Sequence, residues 1–380
     1  MNTEHIKRNT NEALSKSEFV VPADFNINSV KEFANLNNNY ELKVAELYGS
    51  LNTSNIGSGR KHSDLPYTSF DDFKNFVAEC NKNNIEFNYT LNSSCCSNNE
   101  FTEEGKKQII EEVNKLVGIG IRNFTIALPS LIEIVASEFP DVEITVSLIC
   151  GVDSPFKMNF FCQYNNVKNI YIHDRVYRNT KLLKEIIDIA HKHNKKTGML
   201  INSFCMPECP LRSFHFNFAS HSVPGTNYIV PEYYWAVCGM MKIEDRKHVL
   251  NANWVRPEDL SHYTELGIDR LKITGRERLS KSADLHRMIE IYNNQKYDGN
   301  LIELFMCFAK SAHSEIFDMQ NNDEIDYYIK SILNGNHECK LGNCNDCTFC
   351  KPALDTIKVN EDASSKWGAI FKRVSKIKAE

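Results

Sequence analysis

Asn169-Ile-Tyr-Ile-His173, then Thr180-Lys-Leu-Leu-Lys-Glu-Ile-Ile-Asp-Ile-Ala-His-Lys-His193, then Thr197-Gly-Met-Leu-Ile-Asn202: these three runs decide how the chain folds. The outer two are short and apolar on both faces, as strands covered on both sides are. The middle run carries apolar residues at three-to-four spacing, the mark of a helix with one buried stripe. Strand, helix, strand in close succession is one β-α-β unit.

The same alternation extends in both directions. Lys43–Tyr48, Ile85–Leu91, Arg122–Leu128, Val142–Leu148, Val249–Val255 and Arg270–Thr274 bring the expected strands to eight. Phe70–Lys82, Glu103–Gly118, Leu131–Glu138 and Pro257–Leu266 carry the helical pattern. Arg256-Pro-Glu-Asp starts the last of them well, with Pro in the first turn and acids at the positive end of the helix dipole. Phe19–Phe25 reads as a further short strand and Ser29–Leu36 as a short helix. Eight β-α units predict an α/β protein built on a (β/α)8 TIM-like barrel. A doubly wound open sheet is the alternative, but Gly49 to Gly59, after the first strand of the series, lacks the GxGxxG order.

Three regions are expected. Residues 1–18 read as a disordered polar arm, 19–300 as the barrel, and 301–380 as a helical extension with a cysteine-rich segment. In the extension, Leu301–Lys310 and Glu324–Leu333 read as helices, and a basic tail runs from Lys366 to Lys378. The chain has 380 residues, 42% hydrophobic and 24% charged, which suits an ordinary globular core. A net charge of -5 argues against a nucleic-acid groove over the whole surface, though nucleic acid is not excluded at a local basic patch. No apolar run approaches the ~18 residues of a membrane span. Met1 to Ser17 lacks an apolar h-region, so a cytoplasmic location is expected. Thirteen cysteines in a reducing compartment point to metal rather than disulfides.

The chemistry concentrates in Asn202-Ser-Phe-Cys205-Met-Pro-Glu-Cys209-Pro-Leu-Arg212-Ser-Phe-His215-Phe, directly after the run at Thr197. Pro207 and Pro210 keep the segment irregular. Nearly fifty residues separate Asn202 from Val249, and loops of that length are usually functional. On a barrel this connection opens at the C-terminal face, where active sites lie. Cys205, Cys209 and the more distant Cys238 suit three thiolates of an iron–sulfur cluster or a zinc site. The position on a catalytic face favours the cluster. Cys95 and Cys96, past the second expected strand, are candidates for a fourth ligand. A radical-SAM loop is excluded, since Cys-x3-Cys-x2-Cys would need cysteine where Arg212 stands. A second group, Cys339, Cys344, Cys347 and Cys350, is a strong metal signal taken alone. It suits a second cluster, a zinc ion, or one ligand lent to the barrel. Cys80, Cys150, Cys162 and Cys307 sit in apolar contexts and read as small core residues.

The segment Asp269-Arg-Leu-Lys272-Ile-Thr-Gly275-Arg276-Glu resembles the Lys-Ile-Glu-Gly-Arg signature of the collagenase-like peptidase family, peptidase family U thirty-two. Arg256-Pro-Glu-Asp-Leu-Ser-His-Tyr resembles the element preceding it there. Cys205, Cys209-Pro-Leu-Arg212 and Cys238 resemble the cysteines that hold a [4Fe–4S] cluster in that family. The likeness covers roughly residues 40–300, and Thr274 stands where the family commonly has Glu. The resemblance implies a TIM-like barrel and the iron–sulfur branch, whose members perform oxygen-independent hydroxylation on ubiquinone precursors or on tRNA and rRNA bases. Several of these take oxygen from prephenate, and related proteins work in pairs, so a small carboxylate-bearing co-substrate and a partner subunit are both implied.

The candidate catalytic residues are Glu46, Arg60, His173, Lys272 and Arg276, all at expected strand ends or the loops beyond them. Tyr48, Asn92, Asn202 and Arg256 share that face. An arginine and lysine set fits a carboxylate-bearing substrate. The leading expectation is a cluster-dependent oxidoreductase performing oxygen-independent hydroxylation. A peptidase is the alternative, without a convincing triad or His-Glu-x-x-His. A non-catalytic iron–sulfur partner subunit is the third.

Overall fold

The computed structural model describes residues 17–222, 232–275, 282–339 and 347–375. Eight parallel strands close a barrel in chain order. They are β1 (Glu18–Pro22), β2 (Lys43–Gly49), β3 (Glu86–Leu91), β4 (Asn123–Ile126), β5 (Glu143–Val146), β6 (Val167–Tyr171), β7 (Lys196–Leu200) and β8 (Arg270–Lys272). β8 pairs with β1 to shut the ring. Of the arm expected at residues 1–18, residues 1–16 lie outside the described residues, and Glu18 already opens β1.

One strand of the expected eight is wrong. The short run at Phe19 is a barrel strand, whereas Val249–Val255 is not a strand at all. Its first residues end a helical turn, Lys247–Leu250, and its last residues meet the end of β7 through an isolated antiparallel bridge of Trp254 to Asn202 and the N–H of Val255 donating to Ile201 O at 2.9 Å. Val249, Leu250, Ala252, Trp254 and Val255 are all buried, so packing alone accounts for their hydrophobicity. A short apolar run does not by itself separate strand from buried turn. The cysteine loop therefore follows β7, and the connection runs over residues 201–269.

The helices follow the strands: α1 (Ile27–Leu36), α2 (Phe70–Lys82), α3 (Glu103–Gly118), α4 (Pro129–Glu138), α5 (Pro155–Cys162) and α6 (Thr180–Lys192). Their starts are written in the sequence. The side chains of Ser69, Thr102 and Asn179 accept from backbone N–H groups of α2, α3 and α6 at 3.0–3.1 Å. After β7 come α7 (Arg212–Ser220), α8 (Tyr233–Glu244), α9 (Lys247–Leu250) and α10 (Leu260–Leu266). After β8 come α11 (Ser282–Asn294), α12 (Leu301–Phe305), α13 (Ala312–Ile316), α14 (Asp323–Leu333), α15 (Lys351–Thr356) and α16 (Glu361–Val374). The helix expected over Leu301–Lys310 stops at Phe305, because Cys307 and Phe308 are left-handed, with φ of 52° and 57°.

The outer faces of the strands pack on the helices through Phe19, Val21, Leu47, Phe87, Phe124, Ile144, Ile170 and Leu271. The inner faces are polar. Thr125 Oγ1 donates to Asn88 Oδ1 at 2.7 Å, and the Nδ2 groups of Asn88 and Asn169 both reach Thr145 Oγ1 at 3.2 Å. This chain of bonds crosses β3 to β6 inside the barrel. At the N-terminal end, Arg270 reaches Glu18 at 3.1 Å and Glu86 at 3.5 Å.

The C-terminal helices dock on the barrel through two arginines, Arg256 buried and Arg178 half-buried. Arg256, 1% exposed, binds Asp259, Asn321 and Asp326 and so ties α14 to the start of the α10 segment. Arg178 donates to the carbonyls of Leu250 and Ala252 and lies over the Trp254 ring. α16 seats on α8, with the Phe371 ring 4.9 Å from that of Trp235. A Cβ at Gly239 would lie 2.3 Å from the Phe371 ring, so glycine is what lets the two helices close.

Candidate functional site at the barrel mouth

The site has a lumen and a mouth. In the lumen, Val20 pairs with Glu46 on one side and Lys272 on the other, so all three stand at one level. Valine between two long charged side chains leaves them room. The Lys272 ammonium lies 3.7 Å from the Tyr48 ring centroid and 4.8 Å from that of Tyr171, a cation–π position. Burial raises the Glu46 carboxyl above its usual range, against the pull of Arg270 and Lys272. Burial, followed by the charge of Glu46, holds the Tyr171 phenol well above its ordinary value. The Tyr171 ring lies across Gly198, where a Cβ would stand 2.6 Å from it. Tyr171 and Gly198 were not among the expected functional residues, and nothing in the sequence marks that pairing.

At the mouth, His173 follows β6 and Asp174 starts a short helical turn. Asp174, 2% exposed, accepts from Ser203 Oγ at 2.9 Å and forms an ion pair with Arg212. Arg212 also donates to Met206 O at 2.9 Å and lies 3.0 Å from His173 Nε2. The arginine next to the cysteine pair thus folds the loop back onto β6. Burial first, and Arg212 after it, lower the His173 pKa to about 4, with Asp174 opposing. His173, Arg212, Cys150 and Cys209 line one cleft of about 610 Å³. Cys150, expected in the core, therefore faces the mouth, with its thiol 3.0 Å from Ala127 O and pushed up to about 12 by burial.

α7 roofs this cleft. Ser94 Oγ donates to Asn217 Oδ1 at 2.6 Å, and Ser94 N donates to Ser220 Oγ at 2.8 Å. His62 N donates to Ser222 Oγ at 2.8 Å, and Lys61 pairs with Glu232. Arg60 stands beside this roof, close enough to His215 for its charge to lower that imidazole's pKa, after burial. Arg60 also donates to Gly59 O at 3.3 Å.

Burial raises the Cys209 thiol, and both Cys205 and Cys238 push it further in the same direction. The three sulfurs are therefore within electrostatic reach of one another. Cys205 is exposed, while Cys209 and Cys238 are half-buried. Among the described residues no three His, Cys, Asp or Glu side chains stand close enough together to hold a metal ion as they are. Cys96 turns toward Ile56 O, 3.9 Å from its sulfur, and Cys95 Sγ accepts from Ser97 N at 3.4 Å. Lys242 went unmarked in the sequence, although its place four residues after Cys238 was the available signal. It is 2% exposed and donates to Phe204 O at 2.7 Å, immediately before Cys205.

The expected residues thus separate into groups. Glu46 and Lys272 meet in the lumen, His173 sits at the mouth with Cys209, and Arg60 stands beside the roof near His215. Arg276 and Cys344 lie outside the described residues. Arg256, expected on the catalytic face, is instead buried in its ion pairs beneath α14.

No family model matches the chain. It is 28% identical over 335 residues to a protein of Methanocaldococcus jannaschii named Uncharacterized protease MJ1657, covering 87% of this chain and 95% of that one. Among solved structures it is similar to the U32 peptidase Mk0906, with a TM-score of 0.48, 15% identity, and coverage of 68% of this chain and 91% of that one. CpGH84B gives a TM-score of 0.37 and 12% identity over 94% of this chain and 77% of that one. At these values the structural likenesses carry no argument about chemistry. No helix among the described residues is long and apolar enough to cross a membrane.

Proposed function

We propose that this chain is an enzyme of the collagenase-like peptidase family, with its active site at the barrel mouth beneath the cysteine loop. The observation that carries this reading is the long match to the archaeal relative, whose name is that of a protease. Peptide-bond hydrolysis is therefore the better-supported reaction. The cleft of about 610 Å³ has the size of a small-ligand or short-peptide site. Asp153, Lys157, Arg175 and Glu208 at its rim offer charges of both signs to a polar chain.

A second reading, oxygen-independent hydroxylation with a [4Fe–4S] cluster, is favoured by one observation, the coupling of Cys205, Cys209 and Cys238. Burial and the two neighbouring thiols make deprotonation of Cys209 costly, and a bound cation offsets that cost. The donor set fits a thiolate-bound metal with its fourth ligand supplied from elsewhere. Bound there, zinc would supply a Lewis acid for hydrolysis, and an iron–sulfur cluster electron transfer or a Lewis-acidic iron. The chain's own contribution is to aim the loop: Arg212 holds it to Asp174, and Lys242 holds Phe204. Among the described residues the cleft pairs no nucleophile with a base, since Arg212 faces His173 Nε2 and the Cys150 thiol stays protonated.

One experiment separates the readings. Anaerobically purified protein is assayed for iron, sulfide and zinc, and for cleavage of quenched fluorescent gelatin, beside Cys205→Ala/Cys209→Ala. Gelatin cleavage without iron, lost in the variant, supports the peptidase. Iron and sulfide lost in the variant, with no cleavage, supports the hydroxylase. Neither metal nor cleavage at the mouth removes both readings.

A further inference from the structure

We propose that exposed aromatic side chains around the barrel mouth form a collar that grips an unfolded polypeptide beyond the segment held in the cleft. The substrate is then a protein chain carrying large apolar side chains, not a short polar peptide. The inference rests on the reading of the mouth as a polypeptide site and deepens it by naming what that site selects.

Six large apolar side chains are exposed among the described residues, and five of them belong to strand-to-helix connections or to the helices that follow. Tyr67 precedes α2, Phe101 precedes α3, Phe156 and Phe160 are on α5, and Phe214 is on α7. In a barrel every such connection opens at the C-terminal end of the strands. The sixth, Tyr327, is on α14. Exposed apolar groups scattered singly are ordinary, whereas their concentration around one cleft marks a contact surface.

On two of these helices the usual pattern is reversed. Met158, Phe161 and Cys162 fill the buried side of α5, so polar residues are expected on its outer side. Phenylalanine stands there twice, and Phe156 is 81% exposed. The polar residues between are occupied within the protein. Lys157 Nζ donates to Gly151 O at 2.9 Å and pairs with Asp153 at 2.8 Å, and Asn159 Nδ2 donates to Pro155 O at 2.9 Å. Phe160 meets the rings of Phe161 and Tyr164 edge-on, with centroids 5.1 and 6.0 Å away. Phe161 lines the cleft, so this aromatic ridge runs into it. α7, the roof of the same cleft, repeats the arrangement. Arg212 pairs with Asp174 and Asn217 accepts from Ser94, while Phe214 stays 59% exposed. Lys157 and Ser213 line the cleft and are the chain neighbours of Phe156 and Phe214, so a ring stands beside the cleft on each helix.

The charges decide the occupant. Asp153 binds both Lys157 and Arg175, and Arg175 also pairs with Glu208 at 3.1 Å. Two cations and two carboxylates are thus used on one another. They leave no net charge for a phosphate backbone or an anionic lipid surface, each of which is held by lysine and arginine in excess. An unfolded polypeptide needs no such excess. Its large side chains bury against the rings, and its amide groups find donors and acceptors at the rim.

The test measures binding, so it does not depend on which reaction the mouth performs. The probe is a dye-labelled peptide of about 20 residues, which at ~3.3 Å per residue extends well past the cleft. Leucine and phenylalanine are spread along it, and a second peptide has serine in their places. Full-length parent and Phe156→Ser/Phe214→Ser are titrated by fluorescence anisotropy. The parent is expected to bind the apolar peptide at least about tenfold more tightly than the serine peptide, and the variant to lose that margin. Equal affinity for the two peptides in the parent, which needs no variant to measure, overturns the collar. An undiminished margin in the variant overturns it too. So does an oligothymidine strand or an anionic phosphatidylserine vesicle that binds the parent and not the variant, or a parent dimer that the variant dissociates, since each gives the rings another occupant. Gelatin cleavage is read separately. Cleavage without preference for the apolar peptide overturns the collar and keeps the peptidase, whereas preference without cleavage keeps the collar and overturns the peptidase.

Discussion

The imidazole of His173 stands between two donors: Nε2 lies 3.0 Å from a guanidinium nitrogen of Arg212, and Nδ1 accepts from the backbone N–H of Arg175 at 3.2 Å. Arginine and a backbone amide have no acceptor to offer. A proton on either ring nitrogen therefore meets another donor, and a doubly protonated ring meets two. Burial adds to this, and Asp174 only partly compensates.

His173 is accordingly expected to stay neutral through the physiological range and to titrate at about 4. Its folded pKa lies below the unfolded value of about 6.5, so the unfolded chain binds the proton first. Stability is then at its full level above about pH 6.5 and falls as pH drops toward 4, by roughly 2–3 kcal/mol from this group. The ring resonances of His173 followed by NMR across that window measure the pKa directly. Arg212→Gln removes one opposing charge and is expected to move the titration upward. A midpoint near 6.5 in the parent would contradict the geometry.

Tyr171 and Gly198 make a packing prediction. A methyl group at residue 198 would lie 2.6 Å from the Tyr171 ring, inside a lumen closed on every side by strands. Gly198→Ala is expected to lower stability by about 1–3 kcal/mol, the usual range for overpacking. Tyr171→Ala in the same chain relieves the clash, so the double variant costs less than the two single changes added together. Urea denaturation of the three variants forms the cycle that checks this.

Much of the barrel was legible because its signals are local. Phe70–Lys82 and Glu103–Gly118 match α2 and α3 to the residue, since caps and apolar stripes mark both ends. The error at Val249–Val255 came from burial without strand pairing, which hydrophobicity alone does not separate. The first strand was read as a strand at Phe19 but left out of the barrel count, because the pairing with β8 that closes the ring joins residues some 250 apart in the chain. The site was legible as residue types and illegible as partnerships. Cysteine spacing marked the loop after β7, yet no local pattern tells that Arg212 binds Asp174, or that Arg256 serves α14 rather than the mouth. Those contacts arise only once the barrel has closed.

Arg256 gives the sharpest separation between structure and function. Its guanidinium is 1% exposed and binds both oxygens of Asp259, at 2.7 and 2.8 Å, and Asp326 at 2.9 Å. Arg256→Ala leaves the Asp259 carboxylate buried without its partner and Asp326 with Lys330 alone, which typically costs about 3–5 kcal/mol. The expected outcome is a large fall in the denaturant midpoint, while the folded fraction keeps its affinity for whatever the mouth binds. A loss of ligand affinity with unchanged stability would return Arg256 to the catalytic face.

Lys242 links the two cysteine segments. It lies one helical turn beyond Cys238 on α8, and its ammonium donates to the carbonyl of Phe204, next to Cys205. The ammonium also lies 4.2 Å from the Phe204 ring centroid and 3.5 Å from His313 Nε2, with no carboxylate in its described ion pairs. A buried charge held by a carbonyl and a ring is tolerated only where the geometry is fixed. Lys242→Met keeps the apolar stem and removes the donor, leaving the Phe204 carbonyl without that bond at a cost of about 1–3 kcal/mol. The consequence falls on the loop: Cys205 and Cys209 lose part of their anchorage and are expected to react faster with iodoacetamide, whereas Cys80, on the buried face of α2, is not. Peptide mass mapping of alkylation over time reads both rates in one sample. Equal rates in parent and variant at Cys205, with an unchanged denaturant midpoint, would mean that Arg212 and the β-bridge at Asn202 hold the loop without Lys242.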